Sequence, residues 1–336
     1  MTSPSTISPL SITSVHCPVC QNLCDGLPIY EYSASEAAAY FCPTTRDRDR
    51  NRRFEDCIRK LWKGDKSVIL NCENCGFSFG YPFVGGDEEF YSILHEQKGY
   101  PTWRWDYDIA IQEVLQDFRT GKLLEIGSGE GIFLKSLKQE WQCYAVEGSE
   151  TTRKELEASG IEVFRDLDLA NRSYKNTFDV VVIFQVLEHI SDFHAILSAC
   201  HSLLKKGGKI VITVPDGEAM IRQEKITGCP DMPPNHINKW SPNSLALALK
   251  QHNFEAQSPM FEPSSWRNFR GNLHLKIIAD ATNPHSLAAQ VYRIKRKQLR
   301  VPLLAILGVP AIFKMLPYFL DLSRGGAFAI VATATE

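Results

Sequence analysis

The alternation of apolar and polar positions changes character at about Lys122. Downstream of it, short apolar runs at Lys122 to Ile126, Gln142 to Val146, Ile161 to Phe164, Phe178 to Ile183, Lys209 to Val214 and Ala327 to Ala332 are separated by stretches of helical periodicity. Runs of this kind predict strands buried on both faces, and their alternation with helices predicts an α/β fold, a doubly wound parallel sheet with helices on either side. An amphipathic helix over Asp108 to Phe118 leads into it. Between Phe261 and Arg324 the rhythm breaks into mixed helical signals with an aromatic and arginine cluster, Ser264 to Arg270. We read about residues 263–325 as a helical insertion before the last strand.

Upstream the texture differs. Residues 1–15, rich in Ser, Thr and Pro, read as a disordered lead-in with no basic start or apolar core of a signal peptide. Residues 16–84 alternate charged turns with aromatic stretches and carry Cys17-Pro18-Val19-Cys20 and Cys72-Glu73-Asn74-Cys75-Gly76. Each C-x-x-C knuckle presents two thiolates to one tetrahedral ion, so Cys17, Cys20, Cys72 and Cys75 are the expected ligands of a structural zinc, with Cys24, Cys42 and Cys57 between them as possible substitutes. Residues 85–107, with Tyr100-Pro101-Thr102-Trp103-Arg104-Trp105-Asp106-Tyr107, are a linker that could close over a ligand or join the two parts. The alternating charges of Arg46 to Arg53 read as a solvated loop.

Composition sets limits. The chain has 336 residues, 37 basic and 39 acidic, so no overall field draws it to nucleic acid, and its 44% hydrophobic content supports a full core. Ten cysteines without a secretory signal, four of them in knuckles, suit thiolates in a reducing compartment, and we expect a cytoplasmic protein. The run Val301 to Phe313 holds two prolines and is too short to span a bilayer. With the basic Tyr292 to Arg300 before it, it is a candidate peripheral membrane contact or a packed helical pair.

The sharpest chemical signal is Leu123-Leu124-Glu125-Ile126-Gly127-Ser128-Gly129-Glu130-Gly131, a strand running into a glycine loop. Dinucleotide loops run G-x-G-x-x-G with the pyrophosphate on a helix N-terminus. Here the spacing is G-x-G-x-G, and Glu125 stands where a pyrophosphate would be repelled and an ammonium group accepted. Glu147 follows the next strand, placed for two hydroxyls of a ribose. With Phe178 to Ile183, Gln185-Val186-Leu187-Glu188-His189-Ile190 and Leu203 to Gly208 in the same order, the region from about Asp108 to Phe261 resembles class I S-adenosylmethionine-dependent methyltransferases.

That resemblance implies a Rossmann-like sheet of seven strands, a methyltransferase domain over residues 108–336 and S-adenosylmethionine as cofactor. Glu125, Gly127, Gly129 and Gly131 would surround its methionine half, Glu147 its ribose, Asp166 or Leu167 its adenine, and Gln185 would line the same site. His189 becomes the leading general base, and His236 in Pro233-Pro234-Asn235-His236 lies in a loop that overhangs substrate in similar enzymes. Ubiquinone-type O-methyltransferases carry Glu-x-x-Glu-His where this chain has Gln185-Val186-Leu187-Glu188-His189, which weakens a divalent-cation site. Sugar C-methyltransferases, which share a Cys-rich N-terminal module, have Glu-His where this chain has Asn235-His236, which favours an oxygen or nitrogen acceptor. The expected substrate is a small molecule, sugar-containing or another secondary metabolite. An RNA or protein methyltransferase that recognises its target through the zinc module, and a non-catalytic cofactor binder, are the alternatives. The sequence disfavours nucleic acid as a partner and leaves the oligomeric state open.

Overall fold

The computed structural model describes residues 15–96, 103–117, 120–137, 141–228, 231–283, 285–319 and 324–336. The N-terminal part opens with a two-stranded ribbon, β1 (Val15–His16) and β2 (Leu23–Cys24), and continues through β3 (Tyr30–Ser33), α1 (Ala34–Phe41), α2 (Arg48–Trp62), β4 (Lys66–Asn71), β5 (Ser78–Tyr81) and α3 (Glu88–His95). Val15 therefore already belongs to a strand, and the rest of the expected lead-in lies outside the described residues. The Arg46 to Arg53 stretch is corrected. From Arg48 it is the first two turns of α2, capped by the Asp47 carboxylate on the Arg50 N–H at 3.0 Å. Phe54, Cys57, Ile58 and Trp62 recur at helical spacing and bury one face, which overrides the charge alternation. Arg50 is itself buried, donating to the carbonyls of Ile93 and Leu94.

The second part runs α4 (Trp105–Glu113), β6 (Lys122–Ile126), α5 (Ile132–Leu137), β7 (Gln142–Val146), α6 (Glu150–Ala158), β8 (Glu162–Phe164), α7 (Leu167–Ser173), β9 (Phe178–Phe184), α8 (Phe193–Leu203), β10 (Leu204–Pro215), α9 (Gly217–Thr227), β11 (Asn238–Lys239), α10 (Pro242–Gln251), β12 (Phe254–Ala256) and β13 (Met260–Phe261). Three helices, α11 (Trp266–Thr282), α12 (Leu287–Tyr292) and α13 (Lys297–Phe319), precede the closing strand β14 (Ala327–Ala334). The helix expected over Asp108 to Phe118 starts three residues earlier and gives way after Glu113 to a 3-10 turn at Leu115–Asp117. In the Ser264 to Arg270 cluster Trp266 is exposed while Phe269 is buried and stacked on it at 5.0 Å.

The sheet order is β12-β14-β10-β9-β6-β7-β8, with β13 also on β14, so the sheet has eight strands where seven were expected. Strands β6 to β10 are parallel, and β14 runs antiparallel to β10. The first parallel strand, β6, lies between β9 and β7, which opens a crevice at the carboxyl ends of these three strands. Alternation along β6 sends Leu124 and Ile126 to one core and Leu123 to the other, beside Ala145, Val180 and Val182. Glu125 falls on the same side as Leu123, in register with Ala145 and Val182.

The two parts share a core. β11 adds to β5 as the outer strand of the sheet β11-β5-β4-β3, and Phe77 packs against Trp240 with ring centroids 4.6 Å apart.

Candidate functional site

The glycine loop follows β6 because its backbone takes conformations that other residues resist. Gly127 has φ +72°, and a Cβ there would meet Val186 Cγ2 at 2.5 Å. Gly131, φ +67°, is needed for a different reason, since its Cβ would sit 2.3 Å from Leu156 Cδ2, so it packs α5 against α6 rather than facing the crevice. Gly129 donates its N–H to Glu147 Oε2 at 2.9 Å, and Ser149 N–H donates to Oε1 at 2.8 Å. Glu147 is thereby aimed across the loop with lone pairs to spare. Asp166 caps α7 by accepting from Leu169 N–H at 3.0 Å, and Leu167 is buried in the core below it.

A cavity of about 160 Å³ is lined by Glu125, Gly127, Ser128, Gly129, Gln185, Arg104 just ahead of α4 and Tyr107 within it. Glu125 is buried there with Oε2 unpartnered, and burial pushes its carboxyl up to about 8. Gln185 takes φ +55° directly after β9, an uncommon conformation for a residue with a side chain. Its N–H is held by the Thr213 carbonyl and its amide reaches Thr213 Oγ1 at 3.4 Å. Thr213 donates to Asp106 Oδ2 at 2.9 Å, and both Asp106 oxygens are met by Arg104. The arrangement leaves a cation at the cavity wall beside the unpartnered carboxyl. Sequence reasoning did not single out this relay. The one local signal is Thr213, a polar residue inside the buried run of β10.

A second cavity of about 740 Å³ shares Arg104 and Gln185 with the first and is lined by Glu188, His189, His236, Glu262 and Gly271 among others. The short turn Leu187–His189 and the Asn235 to Ile237 loop bring the two imidazoles together, centroids 4.7 Å apart. His189 donates Nδ1–H to the Asn235 carbonyl at 2.8 Å. Burial, aided by the neighbouring His236, lowers it to about 3, so the ring is neutral, and its Nε2 lies 3.9 Å from Glu188 Oε1. His236 faces the same burial, but the Asp231 carboxylate accepts from its Nδ1 and outweighs that cost, holding the imidazole above its ordinary value. Asp231 lies at about 2 and is charged, its burial opposed by His236. Of the two histidines named from sequence, His236 rather than His189 therefore has the basicity and the orienting carboxylate that a proton acceptor needs. Nothing in the sequence marks Asp231, five residues ahead of its partner.

Glu188 is buried with Oε2 unpartnered, and burial raises it to about 7. One ligand atom each from Glu188, His189 and His236 lie within 4.8 Å of one another.

Around the knuckles, the sulfurs of Cys17, Cys20, Cys72 and Cys75 also lie within 4.8 Å of one another, with Cys17 to Cys75 at 3.6 Å and Cys20 to Cys72 at 3.4 Å. Four thiolates around one zinc ion stand about 3.8 Å apart, given bonds of about 2.3 Å. The donor set fits. The thiol of Cys75 beside Cys17 pulls Cys17 down to about 5. Cys24, Cys42 and Cys57 instead contact the Asn22 carbonyl, the Asp47 carbonyl and Asp87 Oδ1.

Residues 105–258 match the family described as "Methyltransferase domain". Among curated relatives, the ubiquinone biosynthesis O-methyltransferase of Idiomarina loihiensis is 33% identical over 98 residues, 26% of this chain and 40% of that one. Its counterpart from Neisseria meningitidis is 29% identical over 106 residues, 28% of this chain and 44% of that one. The chain thus spans about two fifths of the length of the relatives it matches. Among solved structures, an S-adenosylmethionine-dependent methyltransferase from Archaeoglobus fulgidus aligns over 74% of this chain and all of its own, at 17% identity and a TM-score of 0.44.

Proposed function

We propose that this protein, whose residues 105–258 match the methyltransferase-domain family, moves a methyl group from S-adenosylmethionine to a hydroxyl or amine of a small molecule, sugar-containing or another secondary metabolite. The observation that carries the reading is the meeting of two cavities at Arg104 and Gln185, with His236, paired to Asp231, on the wall of the larger. The printed activity of the relatives, O-methylation, supports an oxygen acceptor.

When bound, the cofactor supplies an electrophilic methyl on a sulfonium, open to in-line displacement. Glu125 suits its ammonium, because a buried and unpartnered carboxyl gains a charge partner there. Arg104, held by Asp106, suits its carboxylate. Gly127 and Gly129 would let the chain approach the cofactor, Glu147 would accept the ribose hydroxyls, and Asp166 and Leu167 would border the adenine. Gln185 stands between the cavities and fixes their junction. On the acceptor side His236 Nε2 takes the proton of the attacking hydroxyl while Asp231 holds Nδ1–H. His189 Nε2, neutral, accepts a hydrogen bond from the acceptor and orients it.

The Glu188, His189 and His236 cluster gives a second reading, a divalent cation that polarises the acceptor. The Asp231–His236 pair favours direct proton removal. Turnover of the zinc-loaded protein that is not raised by added magnesium or manganese is the expected result.

The four-cysteine cluster is assigned to a structural zinc in a reducing, cytoplasmic setting. No helix among the described residues is long and apolar enough to cross a membrane. A peripheral bilayer contact is proposed instead for α13, which exposes Leu299, Val301, Ile306, Val309 and Phe313 next to the exposed Lys295, Arg296 and Lys297.

The deciding experiment is incubation of the purified protein with methyl-labelled cofactor and a cell extract, followed by separation into polar metabolites, lipids, RNA and protein. Label in the metabolite fraction is expected. Label confined to RNA or protein would overturn the substrate class and make the zinc module a recognition domain.

A further inference from the structure

The acceptor cavity continues past the reacting centre. It shares Gln185, Glu262, Gly271 and Ala327 with a hollow beside α9, and that hollow shares His274 with a third, of about 450 Å³, between α1 and the insertion. Gly271, His274, Ile278 and Ala281 recur at intervals of three and four, so one face of α11 lines the trough along its length. Ten residues of helix make that length about 15 Å.

The far hollow has a consistent chemistry. Its walls include the rings of Tyr40, Phe41 and Tyr292 and the guanidinium groups of Arg46 and Arg300, and no carboxylate among the described residues lines it. Neither arginine has an ion-pair partner among the described residues. Both act on Tyr292, whose hydroxyl is buried without a hydrogen-bond partner. Arg222, also without an ion-pair partner among the described residues, stands in the hollow between. Planar guanidinium forks match phosphate oxygens two at a time, and a tyrosine hydroxyl supplies a further donor. The rings offer stacking area to whatever carries the charge.

We propose that this pocket binds a phosphate group borne on a flat or apolar body, and that it anchors the far end of an elongated acceptor whose near end reaches His236. The second half rests on the methyl-transfer reading, whereas phosphate binding does not. A soluble phosphate ester and a phospholipid headgroup present the same chemistry, and the two are separated by the probe used.

The test is calorimetric titration of the full-length protein with inorganic pyrophosphate, with uridine diphosphate and with phosphatidic acid vesicles, alongside S-adenosylmethionine. The expected result is binding of a phosphate probe that weakens at least about tenfold in the double variant R46A/R300A, with cofactor affinity unchanged within a few-fold as the control for folding. Binding of uridine diphosphate identifies a soluble source, and arginine-dependent binding of vesicles alone identifies a lipid source. Phosphate binding without cofactor binding supports the pocket while removing the methyl-transfer reading. No binding of any phosphate probe by protein that binds cofactor, or binding undiminished in R46A/R300A, overturns the proposal.

Discussion

His189 and His236 stand side by side in one cavity, yet their partners give them different protonation states. A backbone carbonyl can only accept from His189 Nδ1, whereas the Asp231 carboxylate both orients His236 and raises it. His236→Ala is therefore expected to lower kcat by about 10² or more, and His189→Ala by less. Because the base must be unprotonated, the rate should rise with pH through a value above that of an ordinary histidine. Asp231→Asn removes the raising charge, so the rise should move to lower pH as kcat falls, which a pH–rate profile of the two proteins checks. Glu188 and His189 face the same ring and remain in both proteins. Glu125 makes a separate prediction. Its folded value of about 8 lies above the unfolded 4.5, so the native state holds a proton that the unfolded state gives up between those pH values. Stability of the ligand-free protein should therefore fall as pH rises through that window, and Glu125→Gln should flatten the melting-temperature profile. A profile unchanged by the substitution would contradict the burial of this carboxyl as a charge-sensitive group.

Among the elements, the knuckles are fastened from the other part of the chain. The His194 ring on α8 meets the Pro18 carbonyl at 2.9 Å, and Gln251 on α10 donates to the Val19 carbonyl at 2.9 Å. Replacing Cys17 and Cys72 by Ser, or stripping the ion, should accordingly lower the melting temperature of the whole protein in a single transition, with about one zinc per chain lost by elemental analysis. An early separate transition would show that the module is independent. The same elements explain what could be read from sequence. β6 and β7 were visible to the residue, because continuous apolar runs end at glycine or at charged residues. β12 and β13, three and two residues long, have no period to detect, and they are defined only by pairing with β14. The first turns of α2 carried too much charge to look helical until Phe54, Cys57 and Ile58 are seen to face one core. At the candidate site, the strand ends that carry the glycine loop and Glu147 are local in sequence and were legible as positions, while their role toward the cofactor is proposed. The Arg104–Asp106–Thr213 relay and Asp231 are assembled by tertiary contacts, and Thr213 sits 107 residues from its partner Asp106.

For the whole molecule, charge nearly cancels while one helix departs from the pattern of a covered core. On α13, Ile306 is 65% and Phe313 72% exposed, beyond what isolated surface apolar residues explain, and basic residues flank the stripe. The protein should co-sediment with vesicles rich in anionic lipid and be released as salt is raised, and Ile306→Glu with Phe313→Glu should abolish the association. Failure to co-sediment at low salt would leave this face to another occupant. The central claim, however, is that the crevice above β6, β7 and β9 holds S-adenosylmethionine. Calorimetric titration of the cofactor into the full-length protein and into Gly129→Leu tests it most directly. The account predicts saturable one-to-one binding that the substitution weakens at least about 100-fold, whereas absence of binding, or equal affinity in both proteins, would contradict it.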